Sequence, residues 1–162
     1  MKYRSLLLRC ALLSLFVLGV GARAQAQASL GFRGWGPRAG VSIDPDQFVF
    51  GAHINAGQFA PRVRFQPSFE LGLGNDRTVG AIHLDALYQL RARGWQPYVG
   101  GGLGVALIDV NSPNGRGDDF NAEAGLNLVA GFEWGTQRVF LLEVRAGVGD
   151  IPSLKIIAGL GF

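Results

Sequence analysis

Leu154-Lys155-Ile156-Ile157-Ala158-Gly159-Leu160-Gly161-Phe162, the last nine residues, decide the fold. Side chains alternate between the two faces of a β-strand. Leu154, Ile156, Ala158, Leu160 and Phe162 therefore share one face, and Lys155, Ile157, Gly159 and Gly161 share the other. One face is unbroken apolar surface that ends on an aromatic ring. The other carries a charge and two residues without side chains.

The same period recurs seven times upstream. Trp35, Pro37, Ala39, Val41 and Ile43 alternate with Gly36, Arg38, Gly40 and Ser42. Phe48, Phe50, Ala52, Ile54 and Ala56 alternate with Gln47, Val49, Gly51, His53 and Asn55. Phe65 to Leu73 is set against Arg64, Gln66, Ser68, Glu70 and Gly72, and Ile82 to Leu90 against Ala81, His83, Asp85, Leu87 and Gln89. Further runs start at Trp95, Phe120 and Phe140. The face opposite the apolar one is rich in Gly, Gln, Asn, Glu and Arg. Soluble up-and-down barrels hold the reverse arrangement, apolar inside and polar outside.

A strand in lipid needs an apolar outer face and a fully paired backbone, so the sheet must close. The pattern predicts an all-β fold: a closed, eight-stranded, antiparallel up-and-down transmembrane β-barrel whose polar lumen is filled by side chains. Trp35, Trp95, Phe120, Phe132, Phe140 and Phe162 fall near strand ends, where interfacial aromatic girdles sit.

Residues 1–28 read as a cleaved signal peptide, leaving 29–162 as one barrel domain. Lys2, Arg4 and Arg9 precede an apolar run from Cys10 to Val20, and small-x-small cleavage triplets end at Ala24, Ala26 and Ala28. That run is too short to span a bilayer as a helix, which takes ~20 residues. Removing the segment takes four basic residues and the one cysteine. The remaining charge is about −1, so the basic pI is no argument for nucleic-acid binding. No disulfide or thiol chemistry remains.

The connections alternate in character. Those after the second, fourth and sixth runs carry Arg62, Arg91, Arg93 and Arg138 and no acid. The others carry Asp44, Asp46, Asp76, Asp109, Asp118, Asp119 and Asp150, and the longest runs from about Ile108 to Asp119. Outer-membrane barrels keep short turns in the periplasm and longer loops outside. The acidic set is thus expected at the cell surface and the arginine set in the periplasm.

The inner face offers a candidate charge network of Arg38, Glu70, His83, Asp85, Glu123, Glu143, Arg145 and Lys155. Pairing Gly74 with Val79 would set Glu70 opposite His83 and Ser68 opposite Asp85. A structural plug is the first reading, with a catalytic Glu-His-Asp site and a narrow ion path as alternatives. Inward Gly100, Gly102 and Gly104 leave room for long side chains from across the lumen.

Other motifs weaken on inspection. Asp109-x-Asn111-x-x-Asn114-Gly115 lacks the ligand spacing of a calcium loop. Turn chemistry accounts for Asp44-Pro45-Asp46 and Asn114-Gly115. Arg116-Gly117-Asp118 matches an integrin-recognition tripeptide in a chain rich in these residue types. Gly100-Gly101-Gly102-Leu103-Gly104 runs into a strand, whereas a phosphate-binding loop opens a helix. No metal or cofactor site is expected.

Several stretches carry a family resemblance: Arg38-Ala39-Gly40-Val41-Ser42, Asp44-Pro45-Asp46-Gln47-Phe48, Gly51-Ala52-His53, Phe65-Gln66-Pro67-Ser68-Phe69-Glu70-Leu71-Gly72, Pro97-Tyr98-Val99-Gly100-Gly101-Gly102-Leu103-Gly104 and the Phe162 end. Over residues 33–162 the chain resembles the small outer-membrane β-barrel proteins of Gram-negative bacteria, the group that includes OmpX-like and OmpW-like barrels. The resemblance implies a monomer among outer-membrane lipid and lipopolysaccharide, with Leu160 and Phe162 read by the outer-membrane assembly machinery. It implies no catalytic residues. Barrels that modify lipid A use a serine near a histidine, and neither His53 nor His83 has a serine two residues away. The expected role is structural or interactive at the cell surface, in envelope integrity, adhesion or defence. A narrow channel for small hydrophobic or ionic solutes is the second reading, and a lipid A-modifying enzyme the third.

Overall fold

A computed structural model describes residues 28–43, 46–75, 77–110, 120–149 and 154–162. Eight strands follow one another: β1 (Ser29–Ile43), β2 (Asp46–Ala60), β3 (Val63–Leu73), β4 (Arg77–Gln89), β5 (Gln96–Val110), β6 (Phe120–Trp134), β7 (Val139–Gly149) and β8 (Leu154–Gly161). Each pairs antiparallel with its neighbour in the chain, and β8 pairs back onto β1, so the sheet closes. The expected eight-stranded up-and-down barrel is the observed fold. The residues of the signal-peptide reading before Ala28 lie outside the described ones, as do Asp44, Asp76, the Arg116-Gly117-Asp118 tripeptide, Asp119 and Asp150.

Closure is finished by the last residue. The Phe162 amide donates to the Trp35 carbonyl at 2.9 Å, and the Trp35 amide donates to the Phe162 carbonyl at 3.3 Å. The two rings lie 6.1 Å apart on the outside of this seam. With the ladder that pairs Arg38–Ser42 with Gly159–Lys155, these bonds leave β1 and β8 without an unpaired edge along the seam.

Several strands run beyond their apolar alternation. β1 begins at Ser29 rather than at Trp35, with a register shift between Leu30 and Gly34. β4 begins at Arg77, and β5 continues to Val110, so the long connection shortens to 111–119. The added residues have ladder partners: Arg77 opposite Val110, and Thr78 opposite Asp109. A ladder propagates while a partner strand lies beside it, whatever the side chains, so apolar alternation underestimates strand length.

The β3–β4 register differs from the expectation by two residues. Gly72 pairs with Val79, Ser68 with His83 and Gln66 with Asp85, while Glu70 faces Ala81. A tight turn causes this, its Gly74 amide donating to the Arg77 carbonyl at 3.1 Å. A shift of two leaves every side chain on its own face, but it changes which residues are neighbours.

The two faces separate as the alternation requires. Phe48 is 67 % exposed, Leu103 61 % and Leu128 60 %, while the buried set includes Gln66, Asp85, Glu143 and Arg145. The barrel is inverted relative to a water-soluble protein. Its large apolar side chains point outward, and eight charged side chains among the described residues are buried inside.

Candidate functional site

The lumen holds three layers. Toward the end bearing the β1–β2, β3–β4 and β5–β6 connections, Val79, Ala81, Ala106 and Ile108 form a buried apolar cluster. Charged groups fill the middle. Toward the end where β1 starts and β8 finishes, Leu87, Tyr98 and Val129 pack together.

Glu70 and Glu143 anchor the middle layer. Arg38 reaches both: its Nη1 donates to Glu70 Oε1 at 3.2 Å and its Nη2 to Glu143 Oε2 at 2.8 Å. Lys155 Nζ donates to the other Glu70 oxygen at 2.7 Å. Arg145 donates through Nε to Glu143 Oε2 at 3.1 Å and sets its Nη2 2.8 Å from Asp85 Oδ2. His83 Nε2 lies 3.3 Å from Glu70, while its Nδ1 meets Asn127 Nδ2 at 2.7 Å. Taking two charges out of water costs several kcal/mol per ion, so a buried pair lasts only when its remaining hydrogen-bonding capacity is satisfied. Two neutral donors supply part of that here. Tyr98 Oη and Gln66 Nε2 both donate to Glu143 Oε1, at 3.0 and 3.2 Å.

Seven of the eight residues expected in the network meet in it. Glu123 does not. It is half-buried opposite Ala106, beside the apolar cluster, and it makes no ion pair among the described residues. Asp46, from the acidic loop set, is exposed at the start of β2. Leu160 lies opposite Phe140, on the outer side of the β7–β8 pair.

A second ion pair was not foreseen. Arg64 Nη2 and Glu133 Oε1 stand 2.6 Å apart below the network, and the Arg64 guanidinium lies 5.3 Å from the centre of the Tyr98 ring. Both residues sit on the inner face of the alternation, so parity and opposite charge were the available signals. Gln66, Tyr98 and Asn127 share that parity but carry no charge to draw attention. Histidines and Tyr98 aside, the buried charged side chains balance among the described residues: Arg38, Arg64, Arg145 and Lys155 against Glu70, Asp85, Glu133 and Glu143.

Inward glycines make the space, but for flanking strands rather than for the far wall. A Cβ on Gly104 would lie 2.8 Å from His83 Nδ1 and 3.0 Å from Asn127 Nδ2. One on Gly102 would strike the Leu84 carbonyl and lie 2.5 Å from Asp85 Oδ1. One on Gly131 would lie 2.8 Å from the Tyr98 hydroxyl.

Ser68 is also newly placed. It pairs with His53 on one side and His83 on the other, a proximity that spacing along the chain does not reveal. All three are buried, and no hydrogen bond joins Ser68 to either ring among the described residues. Below them a polar cavity of about 360 Å³, lined in part by His53, Arg64, Gln66 and Glu133, opens at the end where β1 starts.

No protein-family model matches the chain, and no curated protein matches it. Solved structures do. The N-terminal β-barrel domain of Pseudomonas aeruginosa OprF superposes with a TM-score of 0.64 at 18 % identity, covering 82 % of this chain and 98 % of that one. Neisserial surface protein A (NspA) superposes with a TM-score of 0.62 at 20 % identity, covering 83 % and 97 %. At such identities the likeness speaks for the fold. Strand count, closure and nearly the whole length of both relatives are shared.

Proposed function

We propose that this chain is an integral outer-membrane β-barrel of a Gram-negative bacterium, with a plugged lumen and a structural or interactive role at the cell surface. The inverted distribution of side chains carries the reading. A continuous exterior of Phe, Leu, Val and Ile around a charged interior is stable in hydrocarbon, whereas soluble monomers rarely expose apolar patches beyond a few hundred Å². On this reading residues 1–28 are the export signal and Leu160 and Phe162 are the assembly signal. Lipid and lipopolysaccharide surround a monomer, and the acidic connections, including Asp46, face outward. The OmpX-like and OmpW-like grouping belongs to the same proposal and rests on the quoted segments.

The role is not catalytic. No hydrogen bond joins Ser68 to His53 or His83 among the described residues, so the three lack the nucleophile–base contact that hydrolysis needs. Conduction is also disfavoured, because the charges neutralise one another in mutual contact and an apolar cluster lies above them.

Two measurements test the proposal. Mature protein folded in detergent should migrate differently in gels before and after heating, and cell fractionation should recover it with outer membranes. A protein that stays soluble without detergent and shows no shift would overturn the reading. In planar bilayers the barrel should give no steady single-channel conductance; well-defined openings would favour the channel instead.

A further inference from the structure

One end of the barrel combines an aromatic ladder with unopposed cations. Trp95, Phe132, Trp134 and Phe140 run side by side across β5, β6 and β7, with successive ring centres 5.7, 5.4 and 5.6 Å apart. Trp95 stands edge-on to Phe132, and Trp134 is stacked on Phe140. Trp95, Trp134 and Phe140 are 50 %, 41 % and 44 % exposed on the outer surface.

Directly beyond the ladder are the β4–β5 and β6–β7 turns, where Arg91, Arg93 and Arg138 are all exposed. A cleft of about 560 Å³ is lined by Leu90, Arg91, Trp95, Glu133, Trp134 and Thr136, among others, while Arg93 and Arg138 stand on the same turns outside its lining. The one acid on its wall, Glu133, is buried, and its carboxylate is already held by Arg64 at 2.6 Å.

We infer that this cleft binds the headgroup of an anionic phospholipid in the leaflet that surrounds the turn end of the barrel. The inference rests on the membrane-barrel reading and adds the class of lipid. Aromatic rings at strand ends sit at headgroup depth, so the residues beyond them meet phosphates. Each arginine close to an anionic surface strengthens attraction to it about fivefold. Guanidinium also suits phosphate better than a point charge does, because its donors form a planar fork. The ladder packs the acyl chains, the arginines select the charge, and Thr136 adds a hydroxyl to the cleft wall.

The test uses the chain's own tryptophans. Protein would be reconstituted in phosphatidylcholine vesicles, with folding checked first by the heat-dependent gel shift. A missing shift refutes the membrane-barrel reading itself, and this inference falls with it. On folded protein, fluorescence quenching by acyl-brominated phosphatidylglycerol is compared with quenching by brominated phosphatidylcholine. Trp35→Phe removes the indole outside the ladder. The anionic lipid should be preferred on the order of tenfold, and 1 M salt should erase the preference by shrinking the Debye length to about 3 Å. Arg91→Gln/Arg93→Gln/Arg138→Gln should bring the two lipids to parity, while Arg77→Gln at the opposite end should not. Equal quenching in the unmodified protein, or a preference that survives salt or the triple substitution, would overturn the inference. The salt arm decides on the parent protein if the triple variant does not fold.

Discussion

Glu143 accepts hydrogen bonds from Arg38, Arg145, Tyr98 and Gln66 while wholly buried. Glu143→Gln would leave four buried cations facing three carboxylates. Removing one partner of a buried pair costs roughly 3–5 kcal/mol, so the unfolding midpoint in denaturant should fall sharply. Adding Arg145→Gln should return part of the loss, a coupling that a double-mutant cycle measures. If the single variant unfolds like the parent, the network does not support the fold. Two glycines, the inward Gly102 and the outward Gly80, allow a second check. Gly102→Ala meets the Leu84 carbonyl, whereas a Cβ on Gly80 meets nothing within 4 Å. Overpacking typically costs about 1–3 kcal/mol, so the first substitution should destabilise and the second should change stability little. Parity along the strands made the inward position of these residues legible in the sequence. Their contacts were not legible, because those depend on how far each strand slides along its neighbour.

The element scale shows where that sliding is set. A single hydrogen bond, from the Gly74 amide to the Arg77 carbonyl, fixes β3 against β4 and moves Ser68 from the expected Asp85 to His83. Turn geometry of this kind leaves only a faint trace in sequence, since Gly74-Asn75-Asp76 is compatible with turns of several lengths. The existence and faces of all eight strands were readable because the outward positions carry few polar residues. Their ends were not, since Arg77 and Asp109 join the ladder without contributing to the apolar band. The β1–β8 seam yields its own expectation. Deleting Phe162 removes both terminal hydrogen bonds and the ring beside Trp35. The yield of folded barrel in outer membranes should drop, as a fractionation blot would record; an unchanged yield would deny this residue its assembly role.

For the molecule as a whole, solvent outside and solvent inside make opposite demands on one sheet. Leu103, midway along β5 and 61 % exposed, separates the possibilities. In a bilayer Leu103→Arg should cost about 2–4 kcal/mol if it lies near the midplane. On a water-soluble barrel the same change would be neutral or favourable. Denaturation of the folded variant in lipid vesicles distinguishes the two. The network also bears on how the chain comes together. Its bonds span 32, 77, 85 and 105 positions of sequence, and Lys155, on the last strand, supplies a partner of Glu70 on the third. A nascent sheet lacking β8 is therefore electrically unfinished as well as open. Docking of the final strand supplies the Lys155 partner of Glu70 together with the hydrogen bonds to β1. A sheet of β1 to β7 is thus marked twice, by its open edges and by four carboxylates of the buried interior against three cations.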